Sequence, residues 1–128
     1  MSGWGVIPSI RVDDLANALD FYVGQLGFTA EGDTAEPNVS IVRGDARLML
    51  ETTADFYGDG YNSAIRQRLG SASPHALYME AEDLEDLHRR LEASGATIVD
   101  PLADRPWGQA EFTVEDPAGT WLTFWKKR

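Results

Sequence analysis

The chain has 128 residues, a formal net charge of −10 and no cysteine, which suits one domain with a real core, or two half-size modules sharing one, and excludes disulfides and thiol chemistry. Its eleven Lys and Arg are scattered apart from the tail Lys126-Lys127-Arg128, so no basic stripe exists to follow a phosphate backbone and nucleic acid is not an expected partner. No apolar run approaches the roughly 20 residues that span a bilayer and no basic-then-apolar leader is present, so no membrane partner is expected and a soluble cytoplasmic protein is.

In chain order, Val6 to Val12 alternates weakly and predicts a first strand, followed by a helix over Asp13 to Leu26 with Gly27 as its stop. Phe28 to Glu31 predicts a second strand and Asp33 to Asn38, with Pro37, a polar loop. Val39 to Arg43 is a third strand, and Gly44-Asp45 makes the tight turn into a fourth, Ala46 to Glu51. The long connection that follows holds Phe56, Tyr57 and Tyr61 and a short helical stretch from Asn62 to Leu69, before Gly70 and Pro74 end it. His75 to Ala81 predicts strand five, Asp83 to Ser94 a helix closed by Gly95, and Thr97 to Leu102 strand six. Gln109 to Glu115 alternates, Asp116-Pro117-Ala118-Gly119 is a turn, and Thr120 to Trp125 is the last strand.

This order is βαβββ twice, and the two halves resemble each other. Val12-Asp13-Asp14-Leu15, opening the first helix, recurs 69 residues later as Ala81-Glu82-Asp83-Leu84. Leu15, Ala18 and Tyr22 then correspond to Leu84, Leu87 and Leu91, the i, i+3, i+7 positions of a buried stripe. Asp13 or Glu82 stands at each helix start, where a carboxylate satisfies unpaired N–H groups and suits the dipole. The expected organisation is one domain over 1–128, with modules at about 5–52 and 74–126 joined by residues 53–73.

Alternate strand residues point to opposite faces. One predicted face is core: Ile10, Val12, Leu48, Leu50, Leu77, Met79, Ala81, Phe112, Val114, Leu122 and Phe124. The other mixes polar and aromatic groups, with Ser9, Arg11, Ser40, Val42 and Arg47 beside Met49, Glu51, Tyr78, Glu80, Glu111, Thr113, Trp121, Thr123 and Trp125. Tryptophans and a tyrosine among carboxylates point to a surface that binds something, or to a subunit interface.

Four segments in order carry a resemblance: Ile10-Arg11-Val12-Asp13-Asp14-Leu15, Phe21-Tyr22 with Leu26-Gly27-Phe28, Ala81-Glu82-Asp83-Leu84, and Phe112-Thr113-Val114-Glu115-Asp116-Pro117-Ala118-Gly119. On these the chain resembles the vicinal oxygen chelate superfamily of glyoxalase I, extradiol dioxygenases, and fosfomycin and bleomycin resistance proteins. The resemblance implies an α+β fold in which two βαβββ modules form a curved eight-stranded mixed sheet with helices on its convex side. It also implies a divalent metal held by the first and last strands of each module. The corresponding positions here are Ile7, Met49, Ala76 and Thr123, none of which suits zinc, magnesium or manganese, so no cofactor is expected. A shifted set of His75 with Glu51 and Glu111 is the alternative metal site. His88 is expected to pack at the edge of its helix.

Arg105-Pro106-Trp107-Gly108 ahead of Glu111-Phe112 is similar to the Pro-Trp-Gly segment of bleomycin resistance proteins, which are small acidic dimers lacking the metal. By that resemblance the expected function is metal-independent sequestration of a planar, cationic or aromatic ligand in a cleft formed with a second subunit, as in antibiotic resistance. Trp107 would stack on the ligand, Trp121, Trp125, Tyr78 and Met49 would supply walls, and Glu51 and Glu111 would orient a positive or hydrogen-bonding group. Asn38 falls where drug-binding relatives carry aromatic residues, and Tyr57 or Tyr61 would complete the lining. Two alternatives stand beside this. One is a lyase, isomerase or dioxygenase with an atypical metal site, or with Glu111 or Glu51 as catalytic base. The other is a non-catalytic dimerising interaction domain.

Overall fold

The computed structural model describes residues 5–32, 34, 38–52, 59–68 and 75–128. Asp33, Pro37, Phe56, Tyr57, Leu69, Gly70 and Pro74 lie outside them. The fold is α+β, and the chain divides into two compact units, Met1–Ser71 and Ala72–Arg128. The eight expected strands are present, but pairing groups them as two four-stranded mixed sheets, one per unit.

The first sheet has the order β1-β4-β3-β2, with β1 (Ser9–Arg11) parallel to β4 (Ala46–Glu51) and β3 (Asn38–Arg43) antiparallel to both β4 and β2 (Thr29–Glu31). Residues of one parity, Ile10, Val39, Ile41, Leu48 and Leu50, are buried with Ala18, Phe21, Tyr22, Leu26 and Phe28. Helix α1 (Leu15–Leu19) starts two residues later than expected: Asp14, not Asp13, caps it, accepting from the Asn17 N–H at 3.0 Å. It runs on into a π-helical stretch (Asp20–Gln25), closed by a bond from Leu26 N–H to the Phe21 carbonyl at 3.0 Å. The wider turn places two consecutive aromatics on the covered side. Tyr22 lies edge-on to Phe21 at 5.4 Å and to Phe28 at 5.6 Å. Helix α2 (Asp59–Arg68) begins earlier than predicted, with Asp59 in its first turn and Arg66 and Arg68 in its last, each at the dipole end that favours its charge.

The second sheet repeats the plan as β5-β8-β7-β6. β5 (Ala76–Glu80) is parallel to β8 (Trp121–Lys127), and β7 (Gln109–Glu115) is antiparallel to β8 and to β6 (Thr97–Arg105). Phe112, Val114, Leu122, Phe124 and Met79 are buried beneath α3 (Leu84–Ser94), whose Leu84, Leu87 and Leu91 are fully covered. Each such leucine contributes about 1.5–3 kcal/mol on burial. Leu77, expected in this core, is only half-buried near the entrance of β5. Asp116 fixes the β7–β8 turn, its Oδ1 accepting from the N–H groups of Ala118 at 2.9 Å and Thr120 at 2.7 Å. Strand β6 runs past the predicted end at Leu102. Pro101 is tolerated because the strand is at the sheet edge, where a missing N–H breaks no ladder.

Helix α3 ends on Gly95 at φ 79°, whose N–H reaches the Glu92 carbonyl at 3.2 Å. A Cβ there would touch nothing within 4 Å, so Gly95→Ala tests backbone strain alone. The expected loss is about 1–2 kcal/mol in urea unfolding; an unchanged midpoint would exclude a strained cap.

Candidate functional site

On the face of the first sheet opposite the apolar core, register sets Ser9, Met49 and Ser40 in one row and Arg11, Glu51 and Asn38 in the next. Glu51 is 3% exposed and held by its neighbours. Arg11 Nη1 lies 2.8 Å from its Oε2, and the Ser9 hydroxyl donates to Oε1 at 3.0 Å. Arg11 Nη2 donates to the Tyr61 hydroxyl at 2.6 Å, and the guanidinium carbon sits 5.4 Å from that ring's centroid. The charges of this row are thus spent on each other and on α2. Tyr61 serves here as an anchor for its helix, and Asn38 is exposed at the end of the row.

The corresponding face of the second sheet has a different chemistry. Its rows read Ala76, Trp121, Glu115; then Tyr78, Thr123, Thr113; then Glu80, Trp125, Glu111; then Lys127, Gln109, Arg105. Tyr78 is 61% and Trp121 44% exposed, whereas Glu111 is only 6% exposed. Gln109 Nε2 donates to Glu111 Oε2 at 3.0 Å, but the other oxygen has only Arg105 Nε at 3.7 Å, beyond hydrogen-bonding reach. Arg105 gives its Nη2 to Asp100. Among the described residues, Glu111 Oε1 therefore accepts no hydrogen bond.

Trp107 stands apart from the other aromatics. It is 62% exposed in the β6–β7 turn, which Gly108 closes at φ 88° with its N–H on the Arg105 carbonyl at 3.2 Å. Arg128 ties down the same turn through its N–H to the Gly108 carbonyl at 3.0 Å. The hydrogen bond from Arg128 to Asp104, with Glu85 nearby, raises the Arg128 pKa above the usual arginine value. From the Trp121 row to the Gln109 row is six residues, about 20 Å at 3.4 Å per residue. Trp107 and Trp121 therefore cannot enclose one small ring. Trp107 lies in the turn beyond the Gln109 row, at the end of the sheet nearer Trp125 and Glu111, and Trp121 lies at the opposite end with Tyr78.

Residues 6–124 match the family model of the Glyoxalase/Bleomycin resistance protein/Dioxygenase superfamily. The chain belongs to this superfamily. An uncharacterized protein of Mycobacterium bovis is 27% identical over 121 residues, covering 88% of this chain and 76% of the relative. Among solved structures, TioX from Micromonospora sp. ML1 superposes with a TM-score of 0.74 at 22% identity, covering 96% of this chain and 98% of that one. A superfamily member from Alicyclobacillus acidocaldarius gives 0.69 at 19%, covering 99% and 95%. These likenesses show the glyoxalase/bleomycin resistance fold.

The metal positions implied by the superfamily do not fit a metal in this chain. Ser9 pairs with Met49 and Tyr78 with Thr123, so Met49 and Thr123 occupy matching rungs of the two units, and Ile7 and Ala76 stand two residues before Ser9 and Tyr78. An alkyl pair, a thioether and a hydroxyl already shared with Thr113 at 2.8 Å form no zinc or magnesium shell. The alternative set fares no better. Pairing from Ala76 to Glu80 is unbroken, so His75 precedes the strand with the parity of Leu77 and not of Tyr78. Among the described residues no three His, Asp or Glu side chains are grouped to hold a metal. His88 does more than pack: its Nε2 accepts from Leu102 N–H at 3.3 Å, its Nδ1 is 3.3 Å from Glu92, and its ring meets Phe112 at 5.0 Å. No described helix is long and apolar enough to cross a membrane.

Sequence reasoning missed Ser9, Gln109 and Arg105 as partners of the two carboxylates. The i, i+2 spacing of Gln109 and Glu111 was a readable signal, but Arg105 joins them only because β6 continues past Pro101.

Proposed function

We propose that this protein is a metal-independent small-molecule-binding member of the superfamily, bleomycin-resistance-like in mode. It takes a planar ligand with a cationic or hydrogen-donating group on the open face of the second sheet, in a cleft completed by a second copy of the chain. The observation that carries this reading is Glu111, a carboxylate 6% exposed whose Oε1 is paired with Arg105 Nε at 3.7 Å and, among the described residues, accepts no hydrogen bond. Such a group gains when a ligand supplies the donor, since a hydrogen bond to a charged acceptor contributes about 1.5–3 kcal/mol. Trp125 on the adjoining strand offers a ring face beside it, where a cation gains about 0.5–2 kcal/mol, and Trp107 is an exposed indole in the turn at the same end of the sheet. The net charge of −10 draws cations from a distance. Function then rests on stoichiometric capture, which in a cell would protect against a cationic antibiotic.

The test is titration with 9-aminoacridine, a planar cation, followed by fluorescence. Glu111→Gln is expected to weaken binding about tenfold and Trp107→Ala severalfold, each with an unchanged melting midpoint. Equal affinity in wild type and both variants would overturn the reading.

A further inference from the structure

The middle row of the same face holds a feature that Glu111 does not explain. Thr113 Oγ1 and Thr123 Oγ1 are 2.8 Å apart. Thr123 is 3% exposed, while Thr113 is half-buried and forms the accessible end of the pair. Two hydroxyls carry two protons, and one hydrogen bond between them spends one. Among the described residues neither hydroxyl has another partner, so one proton and several lone pairs are left at a largely desolvated position. Tyr78 pairs with Thr123, and Trp121 lies two residues before Thr123 on the same face, so two exposed rings flank the hydroxyls.

We propose that Thr113 and Thr123 are a specificity-determining pair that reads the lactam or amide edge of a planar ring seated against Tyr78 and Trp121. This rests on the binding reading above and extends it. The ligand carbonyl accepts the unspent hydroxyl proton, and its N–H donates to a threonine lone pair. The pair lies one row from Glu111, two residues or about 7 Å away. The preferred ligand therefore carries a neutral donor–acceptor edge at that distance from its cationic or donor group.

Three bicyclic probes of one shape separate the terms: oxindole offers carbonyl and N–H, 1-indanone the carbonyl alone, and indane neither. By ligand-observed NMR and calorimetry, wild type is expected to bind oxindole about tenfold more tightly than indane, with 1-indanone between. In Thr113→Val/Thr123→Val that ranking collapses while indane affinity holds. Removing both partners of a hydrogen bond with isosteric groups leaves no orphan, so this variant is expected to fold. At the half-buried position alone, Thr113→Ser keeps the ranking and Thr113→Val flattens it, which repeats the test without altering Thr123. Oxindole binding no tighter than indane, or a ranking that survives the double variant, overturns the proposal. If 9-aminoacridine still depends on Glu111 in that case, the cation reading stands by itself. A preserved oxindole ranking with no effect of Glu111→Gln would sink the cation reading instead.

Discussion

Replacing Arg11 by methionine is expected to cost about 3 kcal/mol of unfolding free energy. The guanidinium is the counter-ion of a carboxylate whose side chain is 4% exposed, at 2.8 Å, and removing one member of a buried pair leaves an uncompensated charge, at about 3–5 kcal/mol. The lower end applies because Arg11 is itself 14% exposed and Ser9 still donates to Glu51. The same change releases the Tyr61 hydroxyl and so loosens α2 from the first sheet. Urea unfolding with circular dichroism measures the loss, and hydrogen exchange in 59–68 the loosening. Two companions sharpen the result. Arg11→Met combined with Glu51→Leu is expected to be less damaging than Arg11→Met alone, since the pair as a whole contributes little net stability. Tyr61→Phe removes one neutral donor–acceptor site and costs about 1 kcal/mol. A loss below about 1 kcal/mol for Arg11→Met would mean that water already solvates Glu51.

Phe112→Ala is expected to remove about 3–5 kcal/mol, the range for emptying a fully buried aromatic site. Phe112 stacks on Phe124 at 5.6 Å and bears the His88 ring at 5.0 Å, so truncation withdraws support from the sheet and from α3 together. Phe112→Leu, which keeps most of the volume, is expected to cost far less. Similar midpoints for the two variants in thermal unfolding would mean that the core of the second unit collapses around the cavity.

The elements and their inner faces were legible because period and punctuation carry them: Leu84, Leu87 and Leu91 spell a stripe, and Asp116 to Gly119 spell a turn. The superfamily was legible for the same reason, through four short segments in order. What could not be read from spacing was how the outer faces are wired. Glu51 was expected to orient a ligand group, yet its partners Ser9 and Arg11 stand some forty residues earlier and reach it only through a parallel pairing. Glu111 is buried because Gln109 and Arg105 converge on it, and Arg105 arrives along a strand that was expected to end at Leu102. The aromatic residues were counted as one lining set, but register separates Trp107 from Trp121, and register is a property of pairing that composition does not encode. The π-helical stretch likewise left no mark in the alternation of Phe21, Tyr22 and Leu26.

Strand β6, nine residues long at the margin of its sheet, is the kind of element that recruits a stray strand from another molecule. Several features blunt it. Pro101 offers no donor, the ladder slips on both sides of Asp100, and Asp104 and Arg105 add charge. His88 claims the N–H of Leu102 from within the same unit. The β6 margin is thus a poor template for a strand from another molecule.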